Sequence, residues 1–164
     1  MSQYSYIHKN SKGEKIIEIF ILLVVIGTVI YTLLTFHKLP DTVITHAGAT
    51  GKADGFGNKS TLLILPLISI VSYIGLTILQ KFPNIFNYPV KITEKNIDSL
   101  YSLGVKMVRC LKLFIALAFA VMTYIFSESS LGVKITAGTT IITILLVLMS
   151  IMLVYYIVKM SRQK

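Results

Sequence analysis

The chain alternates long apolar runs with polar segments, a pattern that predicts membrane-spanning helices. Four runs are apolar over the thickness of a bilayer, at about residues 16–36, 61–79, 108–126 and 135–158. A helix of about 20 residues crosses a hydrocarbon core of about 30 Å, because each residue adds about 1.5 Å. The pattern therefore predicts one membrane domain over residues 1–164, an all-α integral membrane four-helix bundle.

The composition supports this class and excludes others. Apolar residues make up 54% of the chain and charged residues only 14%, whereas about 25% of a soluble domain is charged. The mean hydropathy is +0.75. The single cysteine, Cys110, cannot form an internal disulfide or a four-cysteine zinc site. A water-soluble globule and a secreted disulfide framework are both excluded.

The net charge of +9 indicates an orientation. Twelve of the 16 lysines and arginines fall in the two tails, the segment between spans two and three and the adjoining start of span three, and the other four are Lys38, Lys52, Lys59 and Lys134. The positive-inside rule then places both termini in the cytoplasm and residues 37–60 outside. Membrane lipids are the expected partner of this charge, and no nucleic acid is needed to explain it.

The outer loop, residues 37–60, exceeds the 2 to 8 residues or so that usually connect bundle helices. Its glycines and the pair Asp54-Gly55 predict turns or a small hairpin. His46, Asp54, Phe56 and Lys59 are the candidate ligand-binding residues. His46 and Asp54 are also the weak metal candidates, but the plainer interpretation is hydrogen bonding within the loop. We assign no metal and no cofactor.

Part of this loop resembles a known signature, L-P-x-x-I-P-T-H followed by G-x-x-D-G-[YF]-G and a lysine. The matching residues are Leu39-Pro40-Asp41-Thr42, Thr45-His46, Gly51, Asp54-Gly55-Phe56-Gly57 and Lys59. The signature belongs to an uncharacterised membrane-domain family, which also forms the amino-terminal part of SdpI-type proteins. Those are immunity and signalling partners of a secreted sporulation-delaying toxin.

The resemblance implies a protein of the bacterial cell membrane that recognises a secreted peptide or toxin. It extends more weakly through Pro66 and Asn87-Tyr88-Pro89 to Asn96 and Tyr101. The chain departs from the signature at Ile44 and Ala53, where the family often has proline, and at Gly48, where it often has asparagine.

The inner segment, residues 80–107, predicts an amphipathic helix that starts at Glu94, is capped by Thr93 and leads into span three. Two placements remain open. The helix lies on the inner leaflet, or it is a cytoplasmic extension of span three. Its basic edge is a candidate surface for a cytoplasmic regulator.

Glu18 lies about one turn inside the cytoplasmic end of span one, where an unpaired carboxylate is costly. Arg109 and Lys112 are expected at a similar depth on span three. These residues predict a structural ion pair. The sequence places no second carboxylate within a span, which disfavours proton or ion transport.

Small and hydroxyl-bearing residues predict that spans three and four contact each other or a second copy in a homo-oligomer. The pairs spaced by four are Ala116 and Ala120, Thr136 and Thr140, and Thr139 and Thr143.

The leading hypothesis is a binding protein that recognises an extracellular peptide or toxin through the outer loop. One alternative is a metal-dependent enzyme at the membrane surface that uses His46 and Asp54. Because no nucleophile elbow or phosphate-binding loop is present, a role without catalysis is favoured. A second alternative is an accessory subunit of an exporter or sensor.

Overall fold

A computed structural model of the chain describes residues 8–48, 51–134 and 138–163. This part contains four long helices and a two-stranded antiparallel sheet. The helices are α1 (Lys12–Phe36), α2 (Ile64–Leu79), α3 (Ile97–Ser130) and α4 (Gly138–Ser161), and the strands are β1 (Thr42–Ala47) and β2 (Ala53–Asn58). Short 3-10 helices at Lys59–Leu63 and Pro83–Ile85 precede and follow α2.

Each of the four helices is long and apolar enough to cross a membrane, once the 3-10 turn from Lys59 is counted with α2. The protein is therefore a multi-pass membrane protein.

The helix boundaries have local causes. The Ser11 hydroxyl accepts a hydrogen bond from the Glu14 amide and the Glu14 carboxylate accepts one from the Ser11 amide, so a capping box begins α1. Asn58 caps the 3-10 turn through a hydrogen bond from the Ser60 amide.

Helix α3 is the central element and packs against each of the other three helices. Its 34 residues span about 51 Å, more than a hydrocarbon core of about 30 Å. The stretch predicted as span three, 108–126, is thus the middle of one continuous helix. The amphipathic segment from Ile97 runs into span three without a break, which is the arrangement expected for an extension of span three.

The predicted start of this helix at Glu94, with Thr93 as its cap, is wrong. Helix α3 begins at Ile97 after Asn96. The Asn96 side chain turns back, accepts a hydrogen bond from the Thr93 amide at 2.8 Å and donates one to the Lys91 carbonyl at 3.1 Å. These bonds stabilise a turn before the helix.

Helix α4 packs on α3, and none of its most apolar 18-residue window is buried within the described chain. The predicted start of span four at residue 135, and the predicted role of Thr136, lie outside the described residues. The predicted contact between spans three and four is confirmed, but Ala116 is buried against Ile21 and Val25 of α1.

The bundle has two ends, which we name by what lies there. The hairpin end carries β1 and β2, and the terminal end carries the start of α1 and the end of α4. At the terminal end, a Cβ on Gly104 would come within 2.8 Å of the Tyr88 hydroxyl and 2.9 Å of Phe86 Cδ2. The segment between α2 and α3 therefore packs directly on the backbone of α3.

Candidate functional site

The outer loop folds into a hairpin, one of the two forms predicted for it, so the all-α prediction is incomplete here. Thr42 pairs with Asn58, Ile44 with Phe56 and His46 with Gly55, and the register is irregular on both sides of His46. A Cβ on Gly55 would come within 2.7 Å of the His46 Cβ. A glycine at this position thus lets the strands approach.

The hairpin is fixed to the bundle by apolar packing and hydrogen bonds. Leu39, Val43 and Leu62 form a buried cluster with Ile125 and Phe126 of α3. The Ile44 amide donates to the Ser130 hydroxyl at 2.9 Å. The Lys59 amide donates to the Asp41 carbonyl at 3.0 Å, and the Lys59 ammonium is 2.9 Å from the Asp41 carboxylate. These contacts fix the base of the hairpin, where β1 begins and β2 ends.

The structure brings only part of the predicted ligand-binding set together. The His46 Nδ1 contacts the Asp54 carboxylate, and these side chains are 69% and 55% exposed. Phe56 is 63% exposed and lies opposite Ile44. Lys59 pairs with Asp41. Of the four, only His46 lines the cleft described next.

A cleft of about 680 Å³ lies between the hairpin, the end of α3 and the start of α4. This volume is in the range of about 300–1,000 Å³ that is common for ligand sites. Lys52 and Lys134, both exposed, add positive charge to its lining. Apolar side chains form much of the wall, among them Ile44, Met122, Ile125, Phe126 and Ile142.

Sequence reasoning missed the α3 and α4 residues of this cleft. Ser129, Thr139 and Thr143 also line it, and the predicted role of Thr139 and Thr143 was helix packing. The cleft is created by long-range packing of the hairpin on α3, which no local pattern reveals. Within residues 8–48, 51–134 and 138–163, no group of three or more His, Cys, Asp or Glu side chains could hold a metal ion.

At the terminal end, the structure brings Glu18, Arg109 and Lys112 together. The Glu18 carboxylate accepts hydrogen bonds from Arg109 Nε at 2.9 Å and from Lys112 Nζ at 2.7 Å. Arg109 is 3% exposed and Lys112 1% exposed. Two buried cations therefore share one carboxylate.

Lys112 also binds groups that the sequence analysis did not single out. Its Nζ donates to the Thr77 hydroxyl and to the Gln80 Oε1, each at 2.9 Å. Lys112 thus ties α1, the carboxyl end of α2 and α3 together. Thr77 and Gln80 are three residues apart, the spacing that places two side chains on one helix face.

Arg109 reaches the start of α1 as well. Its Nη2 donates to Asn10 Oδ1 at 2.6 Å, and its Nη1 is 3.4 Å from Glu14 Oε1. Glu14 lies one helical turn before Glu18, and this spacing of two acidic residues was the sequence signal that could have identified it.

A carboxylate near the end of α3 was also missed. The predicted boundaries left Glu128 between spans three and four, but α3 continues to Ser130 and includes it. The Tyr31 hydroxyl of α1 donates to Glu128 Oε1 at 2.7 Å. This bond joins α1 and α3 near the hairpin end.

Residues 23–70 match the family model of a domain of unknown function, DUF1648. The matched range holds part of α1, the whole hairpin and part of α2, and it excludes Glu18, Arg109 and Lys112. The chain is 32% identical over 117 residues to an uncharacterized protein of Archaeoglobus fulgidus, covering 63% of this chain and 64% of that relative. The chain thus spans a little under two thirds of the relative's length. No solved structure matches.

Proposed function

We propose that this membrane protein recognises a membrane-active peptide or toxin at its hairpin end, in the manner of SdpI-type immunity and signalling proteins. The observation that carries the proposal is the cleft between the hairpin, α3 and α4. The DUF1648 match supports the resemblance to an uncharacterised membrane-domain family. It covers the hairpin residues that form one wall of the cleft.

The chemistry of the cleft suits an amphipathic chain. Apolar side chains such as Phe126 and Ile142 line it together with Lys52 and Lys134. Burial of apolar surface contributes about 25 cal/mol per Å², and the two ammonium groups attract a carboxylate. We therefore expect the ligand to combine an apolar face with an acidic side chain or a free carboxyl terminus.

Two further features support recognition at this end. The hairpin is anchored by its buried cluster with α3, and a preformed site loses less conformational entropy when it binds. The distribution of lysine and arginine favours an exterior position for the hairpin. A peptide that inserts from outside would meet the cleft first.

The contact between His46 and Asp54 is the observation that favours the second candidate, a metal-dependent enzyme at the membrane surface. Metal analysis of the purified protein separates the two candidates. Stoichiometric zinc that is lost on His46→Ala would support the enzyme, whereas metal-free protein that still binds peptide would support recognition.

The experiment for the leading proposal uses two neighbouring residues of α4. Thr143 lines the cleft, whereas the next residue, Ile144, is 52% exposed and points about 100° away around the helix. Thr143→Phe places a ring in the cleft, and Ile144→Phe adds a ring of the same size to the outer surface.

Cells that lack the gene are challenged with peptides secreted by their own and neighbouring strains, and then complemented. We expect deletion to sensitise the cells, wild type and Ile144→Phe to restore protection, and Thr143→Phe to fail at equal protein level. Unchanged sensitivity to every secreted peptide after deletion would contradict the proposal.

A further inference from the structure

The terminal end holds a second cavity, of about 490 Å³, between α1, α2 and α3. The geometry points to this cavity as a binding site for an anionic phosphate group, carried by a phospholipid headgroup or by soluble phosphate. The site lies at the opposite end from the cleft, and it does not depend on the proposed peptide recognition.

The cavity presents hydrogen-bond donors from three parts of the chain. Asn10 precedes α1, Gln80 and Lys81 follow α2, and Arg109 comes from α3. A phosphate oxygen accepts from such groups, and a guanidinium suits phosphate because its planar N–H groups can bond two oxygens.

The charge of the surrounding side chains favours an anion. Lys81, Arg109 and the acidic residue Glu18 line the cavity, and Lys106 and Lys112 belong to the ion-pair network beside it without lining it. Lys106, Arg109 and Lys112 pair with two carboxylates, Glu14 and Glu18, and Lys81 adds a fourth cation. Both oxygens of Glu18 already accept hydrogen bonds, from Arg109 and Lys112, so its charge is compensated. A positive excess remains.

Within the part of the chain that the structure describes, Arg109 has one guanidinium nitrogen without a hydrogen bond. Among the described residues, its buried Nη1 has no hydrogen-bond partner, although Glu14 Oε1 lies 3.4 Å away within ion-pair distance. A buried donor without a hydrogen bond costs free energy. An anion in the cavity would stabilise the positive charge of the Arg109 side chain that lines it.

The cavity lies where the apolar helices α1 and α2 begin and end, respectively, the level at which lipid headgroups are expected. Lys81 follows the last residue of α2, Leu79, by two positions, and Asn10 precedes the first residue of α1 by two. Basic pockets between helices at this depth are suited to anionic headgroups. Tyr73, Pro83 and Val105 also line the cavity and give it an apolar side for the first methylene groups of the acyl chains.

The test measures lipid retention by native mass spectrometry of the purified full chain. Phosphatidylglycerol is compared with phosphatidylcholine, whose headgroup is neutral overall. Lys81→Gln removes a cavity lysine, and Lys95→Gln removes an exposed lysine at the same end that does not line the cavity. We expect preferential retention of phosphatidylglycerol, about twofold to fivefold weaker in Lys81→Gln and unchanged in Lys95→Gln.

A competition arm identifies the source of the phosphate. If inorganic phosphate displaces phosphatidylglycerol and raises the unfolding temperature in phosphatidylcholine nanodiscs, the site takes soluble phosphate. If it does neither, the site takes the lipid headgroup. Equal weakening by Lys81→Gln and Lys95→Gln would show diffuse surface attraction and overturn the site, as would equal retention of the two lipids.

Glu18→Gln tests whether the cavity favours a negative or a positive ligand. Loss of this carboxylate leaves Arg109 and Lys112 with more positive charge, so retention of phosphatidylglycerol should increase. If the folded variant retained less phosphatidylglycerol than wild type, the proposal would be overturned, because the cavity would then favour a cation. If this variant does not fold, the comparison of Lys81→Gln with Lys95→Gln decides alone.

Discussion

The cations Arg109 and Lys112 at the terminal end are buried and share the Glu18 carboxylate of α1, whereas the charged side chains of the hairpin are mostly exposed. Arg109 and Lys112 are 3% and 1% exposed, but His46 and Asp54 are 69% and 55% exposed. A buried charge that loses its partner is costly, and an exposed ion pair contributes little. The comparison teaches that polar residues at the terminal end hold the helices together, while those at the hairpin end remain accessible for binding.

The largest effect that tests this comparison is expected from Lys112→Met. The substitution leaves Thr77 and Gln80 without their shared donor and removes one of the two cations that Glu18 binds. Loss of one partner of a buried pair costs about 3–5 kcal/mol, so thermal unfolding in detergent should shift strongly to lower temperature. Lys95→Met, at an exposed position, is the control.

A double variant sharpens this prediction. Glu18→Gln combined with Lys112→Met also removes the carboxylate that buried Arg109 binds, so we expect it to be less stable than Lys112→Met alone. If the single and double variants unfold at the same temperature as the Lys95→Met control, the buried network does not hold the helices together.

The next effect is expected at Gly104, where the segment after α2 packs on α3. In Gly104→Ala the new methyl group would come within 2.8 Å of the Tyr88 hydroxyl, and overpacking of this kind costs about 1–3 kcal/mol. Gly75→Ala is the matched control, because nothing lies within 4 Å of a Cβ there. The same unfolding assay should show a loss for the first variant and none for the second.

A smaller and more local effect is expected from Ser130→Ala at the hairpin end. The variant removes the acceptor of the Ile44 amide. The free energy of unfolding should fall by about 1–3 kcal/mol if no water replaces that acceptor. Hydrogen exchange of the Ile44 amide should speed up, while exchange within the core of α3 stays unchanged. Equal exchange in wild type and variant would mean that this bond does not anchor the hairpin.

The smallest effect on stability is expected from Asp54→Asn. Its contact with His46 is exposed, so the loss should be below about 1 kcal/mol. A large drop in unfolding temperature would contradict the comparison, because it would make the hairpin pair as structural as the buried network.

The sequence predicted the parts of this fold that depend on local pattern. The four membrane-length helices follow from the lengths of the apolar runs. The contact of Glu18 with Arg109 and Lys112 follows from their similar distance from the cytoplasmic ends of spans one and three. Asn96 shows where the sequence was insufficient, because its backward hydrogen bonds and not a Thr93 cap decide the start of α3. The cleft and the contact of Glu128 with Tyr31 depend on how distant elements pack, which no single window of residues contains.

The most direct test of the account concerns which side of the membrane the hairpin occupies. In a Cys110→Ser background, Lys52→Cys and Lys91→Cys place one thiol at each end of the bundle, both at exposed positions. A membrane-impermeant thiol reagent added to intact cells should label Lys52→Cys and leave Lys91→Cys unmodified until the cells are opened. Labelling of Lys91→Cys alone would place the cleft in the cytoplasm and contradict recognition of a peptide from outside.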